Sequence, residues 1–382
     1  MAMLRIARAP VAAFAAMGVL WGSFAAVLPG IKAGLGVAEA ELGLLLLGTS
    51  VAAVGTMLLA PAVGAALGRV ALPVAAGAMA AAFVLPGQAG VPWAFALAML
   101  VCGATTGLTD VLMNARVAVL ENDRGLHLMN LCHAAYSLAY AGAAVGTGAL
   151  RAAGHGPGVV MTVAAGVTGL CAALTLERDG TIRGLARPRG GGGAGLGLVP
   201  VIGGGIVLIA FMTENAAENW SALHIEKTLG GSPAEGAMGP AALALTMGLA
   251  RLAGQGGVAR IAPVALLSGG ALVAATGALV AAAATGPAMA YAGFVVMGVG
   301  ASVIAPTAFS LVGRMARPDA RARAVARATL LGYFGYFFGP PALGFLSGAF
   351  GLRVAFVFAA ALLLAVLALA PLMVRAAPAR RP

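Results

Sequence analysis

The sequence predicts an all-α integral membrane protein, with twelve transmembrane helices arranged as two six-helix bundles. Three observations predict this. Of the 382 residues 61% are hydrophobic and 9% are charged, whereas a soluble domain carries about a quarter charged residues. The apolar sequence divides into stretches of about 20 residues, the length that crosses ~30 Å of hydrocarbon as a helix. One long segment that is not apolar, 177–197, stands near the midpoint.

The twelve stretches run over residues 9–31, 41–66, 71–88, 92–120, 128–150, 157–176, 198–224, 234–253, 262–284, 288–313, 323–349 and 352–374. The first follows Arg5 and Arg8 and continues to Ile31, too long for the core of a signal peptide, and is read as a retained helix. Pro61, Pro306 and Pro340 fall inside stretches, where neighbouring helices can satisfy the backbone that a proline frees. Abundant glycine, 57 residues, lets membrane helices approach closely. Segment 177–197 contains RPRGGGGAG and four arginines, so it reads as a flexible cytoplasmic linker between an N-terminal bundle, 1–176, and a C-terminal bundle with a short tail, 198–382. The halves echo each other. GAALGRV (Gly64 to Val70) follows the second stretch and GQGGVARI (Gly254 to Ile261) the eighth. Gly142 with Gly146 in the fifth, and Gly335 with Gly339 in the eleventh, are spaced for close helix contact, and together these suggest internal duplication.

Charge reports topology. Taking alternate loops as cytoplasmic places 19 of the 23 Lys and Arg residues on one side and leaves Lys32, Arg151, Lys227 and Arg353 on the other. Both termini are therefore expected in the cytoplasm. The net charge of +11 is spread over loops, so nucleic-acid binding is not expected. Cys102, Cys132 and Cys171 lie in apolar stretches without metal spacing; no disulfide, metal or cofactor is implied.

Twelve acidic residues occur, and three lie inside the membrane: Asp110, Glu214 and Glu218. A charge at the bilayer centre costs at least ~2.5 to 3.5 kcal/mol, so each is a candidate proton carrier or solute ligand, with a structural ion pair as the alternative. Asn114 sits one helical turn from Asp110, while Asn130, His133 and Ser137 line one face of the next helix. Arg116 is expected to reach the headgroups or Glu121. In the seventh stretch, MTENAAENWSALH (Met212 to His224) places Glu214 and Glu218 one turn apart, with Asn215 and Asn219 beside them. Trp220 reads either as an interfacial anchor or as a ring that stacks on a sugar-like solute. In the eleventh, Tyr333, Tyr336 and Phe337 beside GYFFGPPALG either line a cavity opposite Asp110 and His133 or pack helices. No H-E-x-x-H, G-x-S-x-G or phosphate-loop motif is found, and an enzyme is not expected.

Over almost its whole length the chain resembles the major facilitator superfamily: two six-helix halves, a basic middle loop and shortened Gly-Arg turns after the second and eighth helices. DVLMN (Asp110 to Asn114), Glu121, and His133 with Ser137 look like the YbjJ-like branch, related to fucose-type sugar permeases. Glu214 to Ala222 is similar to that branch's E-G-A-M-A-D-W-S-A pattern, matching at Glu214, Trp220, Ser221 and Ala222, and Gly332 to Gly344 also looks like the branch. Two positions depart from it: Glu218 stands where the branch has Ala and Asn219 where it has Asp, which moves a carboxylate about 100° around the helix. The resemblance implies a secondary transporter of a small polar solute, best a sugar or polyol, by proton symport across a bacterial-type inner membrane. Asp110, Glu214 and Glu218 would carry charge or protons. Asn114, Asn130, His133, Ser137, Asn219, Trp220, Tyr333 and Tyr336 would contact solute. The partners implied are that solute, protons and the lipid bilayer, with the chain a monomer. Proton-driven efflux of a metabolite or antibiotic is the alternative, and a membrane sensor without transport a third.

Overall fold

The computed structural model describes residues 5–126, 128–182, 197–253, 261–317 and 320–376, and every described element is helical. The first half contains α1 (Arg8–Leu35), α2 (Glu39–Leu67), α3 (Ala71–Ala82, continued by a single turn at Leu85–Gln88), α4 (Pro92–Arg124), α5 (Met129–Ala152) and α6 (Pro157–Leu174). The second contains α7 (Val199–Leu223), α8 (Pro233–Ala253), α9 (Pro263–Ala283), α10 (Pro287–Ala301, then Ile304–Met315), α11 (Arg321–Phe350) and α12 (Leu352–Arg375). Among the described residues 9 segments are long and apolar enough to cross a membrane, one of which holds both α2 and α3. The helices α5 and α11 complete the twelve.

Duplication is written in the packing. α1 packs on α5 as α7 packs on α11; α2 on α4 as α8 on α10; α3 on α6 as α9 on α12. The halves meet along two seams related in the same way, α5 on α8 and α2 on α11. Small residues make these approaches possible, because without a hydrophobic drive in lipid, helices associate through close packing. Gly22 of α1 lies so near the Tyr140 backbone of α5 that no side chain fits, and Gly335 of α11 does the same at Leu208 of α7. At the α5–α8 seam a side chain on Gly148 would come within 2.7 Å of the Ala237 Cβ. The expected contact at Gly142 and Gly146 is not made: both point outward with nothing within 4 Å. Their spacing matches a contact face, but α5 turns its opposite side, Ala141, Ala144 and Gly148, inward.

The two ends of the bundle differ. Where α1 begins and α6 ends, Arg8 donates to the Leu176 carbonyl at 2.6 Å. Arg116 is buried there, pairing with Glu177 at 2.8 Å and donating to the Asp179 carbonyl at 2.8 Å. This corrects its expected place at the headgroups or on Glu121. A buried guanidinium needs a full set of acceptors, and the segment after α6 supplies them. Glu121 instead accepts the Met129 amide at 2.9 Å, satisfying an unpaired donor at the start of α5. At the opposite, distal end, Arg151 of α5 forms a bidentate pair with Glu226, just beyond α7, at 2.6 and 2.8 Å. Glu39 of α2 pairs with Lys227 and, at 3.4 Å, with Lys32. Arg151 to Glu226 and Glu39 to Lys227 both tie one half to the other. Residues 183–196 of the expected linker, 254–260 of the second Gly-Arg turn, and Asp319 lie outside the described residues.

Candidate functional site

Polar groups converge at mid-height between α4, α5, α7, α8 and α11. Asn114 folds back one turn along α4, donating to the Asp110 carbonyl at 2.8 Å and to Asp110 Oδ1 at 3.2 Å. The other carboxylate oxygen, Oδ2, accepts from the Tyr333 hydroxyl at 3.2 Å. Asp110 belongs to the first half and Tyr333 to the second, so the carboxylate itself joins the halves.

Glu214 and Glu218 project one turn apart from α7, the first buried and the second partly exposed. Arg251, in the last turns of α8, brings Nη2 to 3.8 Å from Glu214 Oε1. That is an ion pair without a hydrogen bond. The Arg251 Nε donates weakly to the Ser302 carbonyl at 3.4 Å. This carbonyl is free because Pro306, four residues on, has no N–H to offer it, and α10 breaks at the same place. Pro340 acts alike in α11. It frees the Tyr336 carbonyl, which accepts from Ser50 Oγ of α2 at 2.8 Å, a further bond between the halves. The Tyr336 ring stacks on Phe211 of α7 with centroids 4.7 Å apart, and its hydroxyl is a polar neighbour of Glu214. From α5, Tyr136 lies within electrostatic reach of Glu214, Glu218 and Arg251.

Hydrogen-bonding capacity is left unmet along α7. Glu214 Oε1, Asn215 Oδ1, Trp220 Nε1 and Ser221 Oγ are buried without a hydrogen-bond partner, as is the Tyr140 hydroxyl of α5. Buried polar atoms are ordinarily paired. The unmet groups on or next to the face of the two carboxylates, at Glu214, Asn215 and Ser221, suit a place where a polar solute or a proton is received, whereas Trp220 points about 200° around the helix from Glu218 into the apolar core.

Asp110, Asn114, Glu214, Glu218, Tyr333 and Tyr336 therefore meet as a group. Among the described residues no hydrogen bond joins the other candidates to it. Asn130 is exposed in the first turn of α5. His133 packs its ring edge-on to Phe14 of α1 at 4.9 Å, with Arg251 within electrostatic range. Ser137 is buried where α5 crosses Gly248 of α8; a side chain on that glycine would come within 2.6 Å of the serine Cβ. Asn219 is 8% and Trp220 0% exposed. A tryptophan so enclosed is no interfacial anchor, which removes one of its two readings. Arg251, Tyr136 and Tyr140 are the residues the sequence did not single out. Arg251 falls in the last turn of the eighth stretch, 234–253, where a charge count groups it with the loop arginines; the one clue to its role is its position within the stretch rather than beyond it. Among the described residues no three His, Cys, Asp or Glu side chains are placed to hold one metal ion.

A family model described as Major Facilitator Superfamily matches residues 202–382. Over 371 residues the chain is 32% identical to an uncharacterized MFS-type transporter of Yersinia pestis, with 95% of this chain and 94% of that protein covered. Among solved structures, a bacterial homologue of the human lysosomal transporter Spinster, inward-facing and occupied, superposes with a TM-score of 0.77 at 17% identity, covering 97% of each chain. The nucleoside transporter NupG superposes with a TM-score of 0.75 at 13% identity, covering 98% of this chain and 100% of that one.

Proposed function

Given that the chain belongs to the major facilitator superfamily, and so is a multi-pass membrane transporter and not an enzyme, we propose that it carries a small polar solute, sugar-like or polyol-like, by proton symport. The finer placement in the YbjJ-like branch rests on the motifs around Asp110 and Glu214, and the sugar-like solute on that placement. The nucleoside transporter among its structural neighbours also moves a solute that bears a sugar ring.

One observation carries the coupling: the Asp110 carboxylate, in the first half, accepts the Tyr333 hydroxyl of the second. A hydrogen bond to a charged acceptor is roughly twice as strong as one between neutral groups. Charged Asp110 therefore favours the arrangement of the halves in which Tyr333 reaches it. Protonation weakens that tie and removes the cost of moving a buried charge through the occluded state. Glu214 is partnered within the second half, by Arg251 of α8 and Tyr336 of α11, so its protonation changes the charge of the site without cutting a tie between the halves. Asn114 and Asn219 supply polar contacts to the solute, and coupling requires that solute and proton favour the same conformation.

In this reading the distal end is extracellular and sealed by Arg151 with Glu226 and by Glu39 with Lys227, and both termini are cytoplasmic. The halves, 1–176 and 198–382 with 177–197 as linker, rock as units, one chain forming one transport path. The test is proton movement in proteoliposomes presented with a panel of sugars and polyols, comparing wild type with Asp110→Asn. External alkalinisation on adding solute, abolished by the substitution, is expected. Silence with every sugar and polyol, together with collapse of a preset pH gradient by amphipathic drugs, would replace symport with efflux.

A further inference from the structure

When its carboxylates are ionised the centre of the molecule is short of positive charge, and the shortage bears on what the solute is. Three carboxylates gather there, Asp110, Glu214 and Glu218. Among the described residues around them, Arg251 is the one permanent cation, and it is committed elsewhere in part. It stands 3.8 Å from Glu214 Oε1 and directs Nε to the Ser302 carbonyl at 3.4 Å. Asp110 is supplied by Asn114 and Tyr333. Glu214 has the Tyr336 hydroxyl beside it and Arg251 at 3.8 Å, yet it is not fully met. Glu214 Oε1 is buried without a hydrogen-bond donor, and on the next residue Asn215 Oδ1 is likewise buried and unpaired. Both orphans are acceptors. Glu214 and Asn215 are each 7% exposed, so bulk water does not supply what is missing.

Around Glu214 and Asn215 the site thus lacks positive charge and hydrogen-bond donors, while the unpaired Tyr140 hydroxyl stands within electrostatic reach of Glu218. A sugar hydroxyl brings a single donor and no charge. An ammonium group brings three donors and a charge, and it accepts nothing, which suits the unpaired acceptors of Glu214 and Asn215. We infer that the solute is a polyhydroxylated amine, an amino sugar or an aminocyclitol, whose ammonium is received between Glu218 and Glu214. This rests on the transport reading above and narrows its substrate class. Glu218 is the specificity-determining residue: it is partly exposed where Glu214 is buried, so it is reached first, with Glu214 behind it.

The experiment is calorimetric titration of the purified full-length chain in detergent with matched compounds: glucosamine, glucose and N-acetylglucosamine, and an amino-inositol with its parent inositol. The amines are expected to bind about ten-fold or more tightly than their hydroxyl or N-acetyl counterparts, the difference a charge-assisted bond makes. Glu218→Gln, which keeps size and polarity, is expected to remove most of that preference while leaving the thermal melt unchanged. Neutral compounds binding as well as the amines in wild type would overturn the amine inference and leave sugar transport standing, and this comparison needs no variant to fold. An amine preference that persists in folded Glu218→Gln would overturn the assignment of the ammonium to Glu218. Failure of both compound classes to bind, and of both to move protons in proteoliposomes, would overturn the sugar-like reading and this inference together.

Discussion

The Tyr333 hydroxyl makes one hydrogen bond, 3.2 Å to Asp110 Oδ2, and that bond ties protonation to the arrangement of the halves. Tyr333→Phe removes the hydroxyl and keeps the ring, which packs near Phe211 at 5.9 Å. A hydrogen bond to a charged group contributes about 1.5 to 3 kcal/mol. Solute-driven alkalinisation by proteoliposomes should therefore slow by about ten-fold or more, with the thermal melt little changed. A wild-type rate in Tyr333→Phe would show that this bond plays no part in the cycle. Asn114 is a different case. Its bond to Asp110 lies within one helix, so it orients the carboxylate in every state and does not report on where the halves stand.

Helices are positioned by where small residues let backbones touch, and the glycines of α1 and α5 separate under that test. Gly22 leaves no room for a Cβ beside the Tyr140 backbone, and backbone cannot step aside as a flexible side chain would. Overpacking of this kind costs about 1 to 3 kcal/mol or more. Gly142 and Gly146 face open space, where alanine in a helix is favoured over glycine by up to about 1 kcal/mol. Gly22→Ala should lower the melting temperature in detergent or abolish folded yield, while Gly142→Ala should hold or raise it. Equal melts for the two would mean that α1 and α5 do not pack through Gly22. Proline acts at the same scale. Pro306 and Pro340 each free a carbonyl four residues back, and each freed carbonyl is used by another helix, Ser302 by Arg251 and Tyr336 by Ser50.

For the whole molecule, the distal ties decide which side of the membrane can open. The Arg151 and Glu226 side chains are 9% and 16% exposed, and removing one partner from a desolvated pair costs on the order of 3 kcal/mol. That is enough to shift the balance between two conformations of comparable energy. Spin labels at exposed Ala33 on α1 and Thr228 beyond α7 should report a short, narrow distance in wild type and a second, longer one in Arg151→Ala. An unchanged distribution would assign closure to helix packing along α5–α8 and α2–α11 alone.

The sequence by itself determined the properties that depend on neighbours along the chain. Hydropathy over about 20 residues located twelve helices, and the scarcity of acids within them isolated Asp110, Glu214 and Glu218. The helical repeat placed Asn114 against Asp110 and Glu218 above Glu214. Tertiary structure decided everything that depends on how each helix is rotated and on what it meets. Tyr333 reaches Asp110 across 223 positions of sequence. Arg251 lies beside Glu214 rather than in a loop, Arg116 is buried against Glu177, and Trp220 is enclosed rather than interfacial. An arginine at the end of an apolar stretch looks the same to a charge count whether it turns toward lipid headgroups or toward the interior. A glycine pair looks the same whether or not its face is the one that packs. In a membrane nearly every helix face is apolar, so composition says little about rotation. Close packing and the pairing of the few polar groups settle it, and both act between segments far apart in the chain.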